Sequence, residues 1–233
     1  MIHNLASERN LRMAWWRRFR QTLRGDAVPD APSELDFQME GWTEEEPADN
    51  LRRFRGADGG VLTLAVLDSN PWADIRQLHR EARQLAESAG GGLIEVETLN
   101  CGGTWAVRLI YKRLEIPTYV FTGMFFAPLA HQYLVWTMVD GERGTTGIRE
   151  AVVTSRLYES GEFKSPEDYE HLWAEDPYDP DYQGVDRSVL RFLSDDDKYD
   201  AEFPDHPLSR VRAFQRNLCD WIARRQRAGS QSA

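Results

Sequence analysis

The pattern of apolar and polar positions divides the chain into recognisable elements. Leu5, Leu11, Ala14, Trp15, Phe19 and Leu23 recur at helical spacing and predict a helix over residues 5–24, ended by Gly25. DAVPDAPS (26–33) reads as a proline-rich linker. Leu35, Phe37 and Met39 alternate and predict a first strand from Leu35 to Trp42, followed by a polar loop, TEEEPADN. Leu51–Arg55 and Val61–Leu67 are the second and third strands, joined by a tight turn at Asp58-Gly59-Gly60, where glycine accepts positive φ without a steric penalty. Ser69-Asn70-Pro71 predicts a helix entry, with Ile75, Leu78, Ala82, Leu85 and Ala89 on the inward face and Gly90-Gly91-Gly92 as the stop.

A meander follows. Its strands are Leu93–Leu99, Thr104–Arg113, Thr118–Phe126 and Gln132–Val139, with a turn at Ala127–Ala130 between the last two. In the second of these, Val107, Leu109 and Tyr111 face one way and Arg108, Ile110 and Lys112 the other. Thr146 predicts the cap of a helix running to about Tyr158, with Ile148, Val152 and Leu157 inward. Ser165-Pro166 begins a short helix through Trp173. Residues 175–206 are acidic and largely irregular, with a short strand possible at Val189–Leu193. Pro207 opens a last helix with Val211, Phe214, Leu218 and Ile222 inward and its arginines outward. Consecutive strands with short connections imply antiparallel pairing. The expected fold class is α+β: a sheet of about seven strands covered by helices in an α/β/α sandwich-like arrangement. The domain reading is an amphipathic helix at 1–25, a sandwich core at 34–160, and an acidic segment with an arginine-rich helix at 161–233 packing on the same domain.

Ile116–Val139 is a run of 24 residues without Asp, Glu, Lys or Arg, long enough to span a bilayer. Its prolines and its Val, Thr, Tyr, Phe and Trp content describe two strands and a turn instead. An integral membrane protein is therefore not expected. No apolar run with a small-residue cleavage site marks a signal peptide. Two cysteines, Cys101 and Cys219, make no C-x-x-C pair and no disulfide framework, so a reducing compartment, the cytoplasm, is expected. Arginine outnumbers lysine 25 to 3, a bias of GC-rich genomes on which a bacterial source is expected.

The net charge of −10 is uneven. Residues 1–24 and 207–233 each carry +5, and residues 25–206 carry −20. The basic ends are expected to lie on acidic surface of the same molecule. Nucleic acid is not the expected partner, because an acidic protein repels it.

Candidate chemistry is sparse. His3, His79, His131, His171 and His206 form no H-x-x-x-H or H-E-x-x-H pattern, so a zinc site would have to gather ligands from distant segments. Asp176, Asp179 and Asp181, and again Asp195, Asp196, Asp197 and Asp200, offer carboxylates to a hard cation but lack EF-hand spacing; they read as solvated loop or as partners of the arginine helices. Cys101 in its glycine-rich turn has no basic neighbour in sequence to activate it as a nucleophile. GERGTTG (141–147) matches neither phosphate-loop pattern and reads as a helix-entry turn. FPDHPLSR (203–210) reads as a staple that docks the last helix. Trp15, Trp16, Arg17, Arg18 and Phe19 combine the residue types enriched at protein interfaces and are the expected partner-binding residues, with core packing and a membrane surface as the competing readings.

The stretches GVLTLAV (60–66), VRLIYKR (107–113) and YVFTGMFF (119–126), with the helix entry GTTGIREA (144–151), resemble the PsbP-like α/β/α sandwich superfamily, which includes bacterial DcrB-like proteins. The resemblance covers roughly residues 34–158 and rests on element order and core-forming stretches. It implies binding or adaptor work rather than catalysis: members assist photosystem assembly, bind small GTPases or chaperone secreted effectors. No functional residue carries over, because no functional motif matches. The function expected is a non-enzymatic binding or accessory protein, adaptor or chaperone-like, with no cofactor and another protein as partner. The alternatives are a hydrolase built from scattered Asp, Glu and His, and a peripheral membrane protein acting through the Trp/Arg helix.

Overall fold

The computed structural model describes residues 41–45, 51–67, 70–72, 75–129 and 132–230. The helix expected at 5–24, with Trp15 to Phe19, lies outside these residues, as does the strand expected from Leu35 up to its last residues.

Seven strands form one antiparallel sheet in the order β1-β2-β3-β7-β6-β5-β4. They are β1 (Trp42–Glu44), β2 (Leu51–Gly56), β3 (Val61–Leu67), β4 (Gly92–Cys101), β5 (Thr104–Glu115), β6 (Thr118–Leu129) and β7 (Gln132–Gly141). Period-two alternation gives the sheet two apolar faces, and each is covered. Helix α1 (Leu78–Ser88) buries Leu78, Ala82, Leu85 and Ala86 against Leu93, Val96, Leu109 and Met124. The long C-terminal helix is α4 (Pro207–Ser230). It buries Leu208, Val211, Phe214, Leu218 and Ile222 against Leu62, Leu64, Phe121, Phe125 and Trp136 on the opposite face. This is the expected sandwich. The long uncharged run is the β6–β7 hairpin, and no helix among the described residues is long and apolar enough to cross a membrane.

Helices α2 (Ile148–Glu159) and α3 (Pro166–Leu172) pack with a small ladder, β8 (Ala174–Glu175) on β9 (Arg191–Phe192), around Val153, Leu157, Phe163, Trp173 and Phe192. Ser165 caps α3 through a reciprocal box with Asp168, satisfying backbone N–H groups that the first turn leaves free. Contact between α4 and the sheet is closest at Gly123, where an added Cβ would fall on Val211 Cγ1. Beside it, the buried Gln215 amide donates to the carbonyls of Leu109 and Met124, both at 3.1 Å. The helix is therefore seated by a missing side chain and by hydrogen bonds to the sheet backbone.

Several elements depart from the sequence pattern. Strand β1 occupies Trp42–Glu44, so it takes in Thr43 and Glu44 of the segment that reads as polar loop. Pro71 does not open α1: Asn70 Oδ1 accepts the Trp72 N–H at 3.0 Å in a side-chain turn, and the described helical backbone on this side of α1 is a 3-10 turn at Ile75–Gln77. Ile75 is consequently out of phase with α1 and exposed. Strand β6 runs on to Leu129, through the residues assigned to a turn. Helix α2 is capped by Gly147 at φ 73°, not by the Thr146 side chain, and is rotated from the expected phase. Ile148 is exposed and Val152 half-buried, while Arg149, Val153 and Leu157 point inward. On α4, Arg212 is buried rather than outward.

Cys101 and Cys219 form a disulfide between the β4–β5 turn and α4. This overturns the expectation of two reduced cysteines, and the argument for a reducing compartment loses its footing. It also removes Cys101 as a candidate nucleophile, since the residue is 1% exposed and its sulfur is bonded.

Candidate functional site

Two places concentrate chemistry. The first is a groove on the α1 face of the sheet, at the end that α1 leaves uncovered. Alternation places Thr98 of β4, Val107 of β5 and Phe126 of β6 in one cross-strand row, with Trp105 and Tyr133 beside them. Asn70, Trp72 and Ile75 form the opposite wall, and the space between is about 370 Å³. Trp72 packs edge-on against Phe126, ring centroids 5.0 Å apart, and its buried indole Nε1–H meets no acceptor among the described residues. Ile75 and Trp105 are 55% and 64% exposed, unusual for such large apolar side chains. Among the described residues, no charged side chain lines the groove.

The second is a polar layer between the α4 face and the segment 190–206. Lys112 Nζ donates to Asp195 Oδ2 at 2.7 Å, and both side chains are fully buried. The ammonium also lies 3.0 Å from the Phe192 ring centroid. Burial pushes the Lys112 ammonium pKa down, with Asp195 opposing it, and burial pushes the Tyr119 phenol up to about 12. Arg149 donates to the Ser194 carbonyl (2.6 Å), the Asp196 carbonyl (2.8 Å), Asp200 (3.1 Å) and Ser209 (2.8 Å). Arg212 donates to Glu95 (2.7 Å), Asp200 (3.0 Å) and the Asp195 carbonyl (2.7 Å). The carboxylates of Asp195 and Asp200 thus serve buried cations of the chain itself. Asp176 does the same, receiving two hydrogen bonds from Arg83 at 2.8 and 2.7 Å.

Three further residues meet at the edge of this layer. His206 Nε2 lies 3.7 Å from Glu142 Oε1 and 3.9 Å from Glu150 Oε1. They come from the end of β7, the start of α2 and the residue before α4, and sequence spacing gave no sign of them. Their donor types would suit a divalent cation. The ring orientation does not: Nδ1 accepts the Leu208 N–H at 3.3 Å, so the proton of the neutral ring sits on Nε2, facing the carboxylates. A metal-bound histidine needs the reverse. His206 is instead the cap of α4, as the staple reading of FPDHPLSR expects. Glu142 Oε1 accepts the Gly147 N–H at 2.9 Å, which makes GERGTTG a helix-entry turn rather than an anion cradle.

Burial and neighbours drive the two glutamates apart. For Glu142, burial raises the carboxyl pKa, but His206 and the Gly147 N–H outweigh it and hold the group below its ordinary value. For Glu150, burial wins over His206 and the pKa is raised. Between the ordinary carboxylate value, about 4.3, and this raised one, the folded state binds more protons than the unfolded, so stability falls as pH rises. Glu150→Gln is therefore expected to raise the unfolding midpoint at neutral pH. The gain should vanish once the pH drops below the ordinary carboxylate range. Thermal unfolding across pH checks this, and a midpoint lowered at every pH would refute it.

No protein-family model matches the chain, and no curated protein matches it. Among solved structures, one of a protein from Bacteroides thetaiotaomicron is similar at 14% identity over 45% of this chain and 37% of its own length, with a TM-score of 0.30. The match spans well under half of that relative. The Ran-binding protein Mog1p of Saccharomyces cerevisiae is similar at 12% identity over 51% of this chain and 75% of its own, with a TM-score of 0.37. A mutant of Mog1 gives 13% identity with the same coverage and score.

Proposed function

We propose that the protein is a non-enzymatic binding or accessory protein, adaptor or chaperone-like, whose partner is another protein. The observation that carries this reading is the open groove of Trp72, Ile75, Trp105, Phe126 and Tyr133, aromatic and uncharged among the described residues. Large exposed aromatics beside a concave apolar surface are what protein partners use as anchors. The rival hydrolase needs titratable groups facing a cavity. The perturbed pair Glu142 and Glu150 does not line the groove; with His206 it closes a loop and caps a helix. Trp15, Trp16, Arg17, Arg18 and Phe19 remain part of the proposal as a second contact element. The compartment proposed is one in which Cys101–Cys219 stays oxidised; a cytoplasmic location would require the bond to persist against cellular thiols.

The test is affinity purification of the tagged full chain, followed by binding measurements between the purified components. Three proteins are compared: the parent, Ile75→Asp/Trp105→Ala in the groove, and Trp15→Ala/Trp16→Ala. A stoichiometric partner whose affinity falls at least tenfold in the groove variant supports the groove as the contact surface. Loss in the N-terminal variant alone moves the contact there. Equal affinity in all three sinks both assignments.

A further inference from the structure

Among the described residues the sheet ends at β4, and there its outer edge is closed in one place and open in another. Antiparallel residues alternate between turning their N–H and C=O toward the neighbouring strand and away from it. At Val96 these groups face away from β5: the N–H donates to Tyr178 Oη at 2.7 Å, and the same hydroxyl donates to the Val96 carbonyl at 2.8 Å. Tyr178 therefore plugs the edge at Val96. The next outward-facing residues are Thr98 and Asn100, after which the strand ends at Cys101. Both are exposed. Their side chains lie on the α1 face, opposite Val107 and Trp105 of β5, so the open edge adjoins the groove.

We infer that a second copy of this chain pairs with this edge, β4 against β4, about a two-fold axis at Leu99. Two open residues flanking a central one are self-complementary: Thr98 of one copy meets Asn100 of the other, and Asn100 meets Thr98. The same register places Glu97 opposite Cys101 of the second copy rather than opposite another Glu97, so no like charges face each other. It also places Val96, with its Tyr178 plug, opposite Gly102 of the second copy, which has no side chain to collide with the ring. On the α1 face, Trp105 of each copy is the cross-strand neighbour of its own Asn100 and so stands in one row with Thr98 of the other. There it closes the side on which the groove is open. The groove of one copy is thus completed by an aromatic residue of the other, and the two sheets become continuous.

Only the closing of the groove rests on the binding function proposed above; the edge pairing stands on backbone geometry. A contact this short lies at the small end of specific interfaces, so weak, concentration-dependent association is expected. Sedimentation equilibrium of the full chain over a wide concentration range, without any ligand, is the test. The weight-average mass should climb toward twice that of the monomer. Thr98→Pro should hold it at the monomer value, because that N–H serves no bond within the sheet and proline is tolerated on a free edge. Circular dichroism checks that this variant folds. Independently of that variant, residues at the axis are a non-hydrogen-bonded pair with Cα atoms about 4.5 Å apart, within disulfide reach. Leu99→Cys should therefore give a covalent dimer on mild oxidation, and Thr98→Cys, which faces Asn100 of the second copy rather than a cysteine, should not. A monomer at every concentration, a dimer indifferent to Thr98→Pro, or cross-linking at 98 in preference to 99 would overturn the pairing. None of these outcomes bears on whether the groove binds another protein, and loss of partner binding in the groove variant would not bear on the pairing.

Discussion

Replacing Asp195 by alanine is expected to destabilise the protein by about 3–5 kcal/mol, because it leaves a buried cation without its partner. Lys112 and Asp195 are both fully buried, and no solvent is at hand to replace the lost carboxylate. The Asp195 Oδ2 atom also accepts the Phe192 N–H at 2.8 Å, so a buried backbone donor is orphaned in the same step. Urea denaturation at neutral pH measures the loss. Adding Lys112→Met to Asp195→Ala should recover most of it: methionine fills similar space, keeps contact with the Phe192 and Tyr119 rings, and buries no charge. The double-mutant cycle then gives a coupling that surface pairs do not show. A single-mutant loss below about 1 kcal/mol would mean the pair is solvated, since that is the range of exposed ion pairs.

Removing the disulfide is the second large effect. Cys101 and Cys219 are 118 residues apart, so the bond closes most of the described chain into a loop. A cross-link over such a separation restricts the unfolded ensemble strongly, and its loss is expected to cost about 2–5 kcal/mol. In the folded state the bond ties the β4–β5 turn to α4 where they already touch, for a Cβ added at Gly102 would lie 2.7 Å from Ala223 Cα. Cys101→Ser/Cys219→Ser and the parent protein with its disulfide reduced should show the same lowered denaturation midpoint. A parent midpoint unchanged by reductant would show that the bond does not form in solution.

The strands were legible because one face of each reads apolar at period two. Val61–Leu67 keeps its bounds in the structure, and the alternation of Val107, Leu109 and Tyr111 against Ile110 and Lys112 is the alternation of the two sheet faces. The inward charges were not legible. Pattern reading sends Arg149 and Arg212 outward, and nothing local contradicts it. Their acceptors at Ser194, Asp195, Asp196 and Asp200 lie in an irregular segment that only the tertiary fold brings over α2 and α4. For α2 this rotated the buried face from Ile148 and Val152 to Arg149 and Val153, with Leu157 inward in both. The groove shared the difficulty: its walls come from β4 through β7 and from the turn before α1, and no single stretch of sequence holds more than three of its lining residues. Glu142, Glu150 and His206 meet for the same reason.

The seat of α4 has a consequence for how the chain is made. Synthesis runs from the N-terminus, so the whole seven-stranded sheet emerges before residues 207–230. Until they follow, Leu62, Leu64, Phe121, Phe125 and Trp136 have no cover from Val211, Phe214 and Leu218. The nascent chain therefore presents a bare apolar sheet face for the time needed to translate its last helix, the state in which newly made proteins aggregate or recruit chaperones. The final turns of α4 decide when that exposure ends.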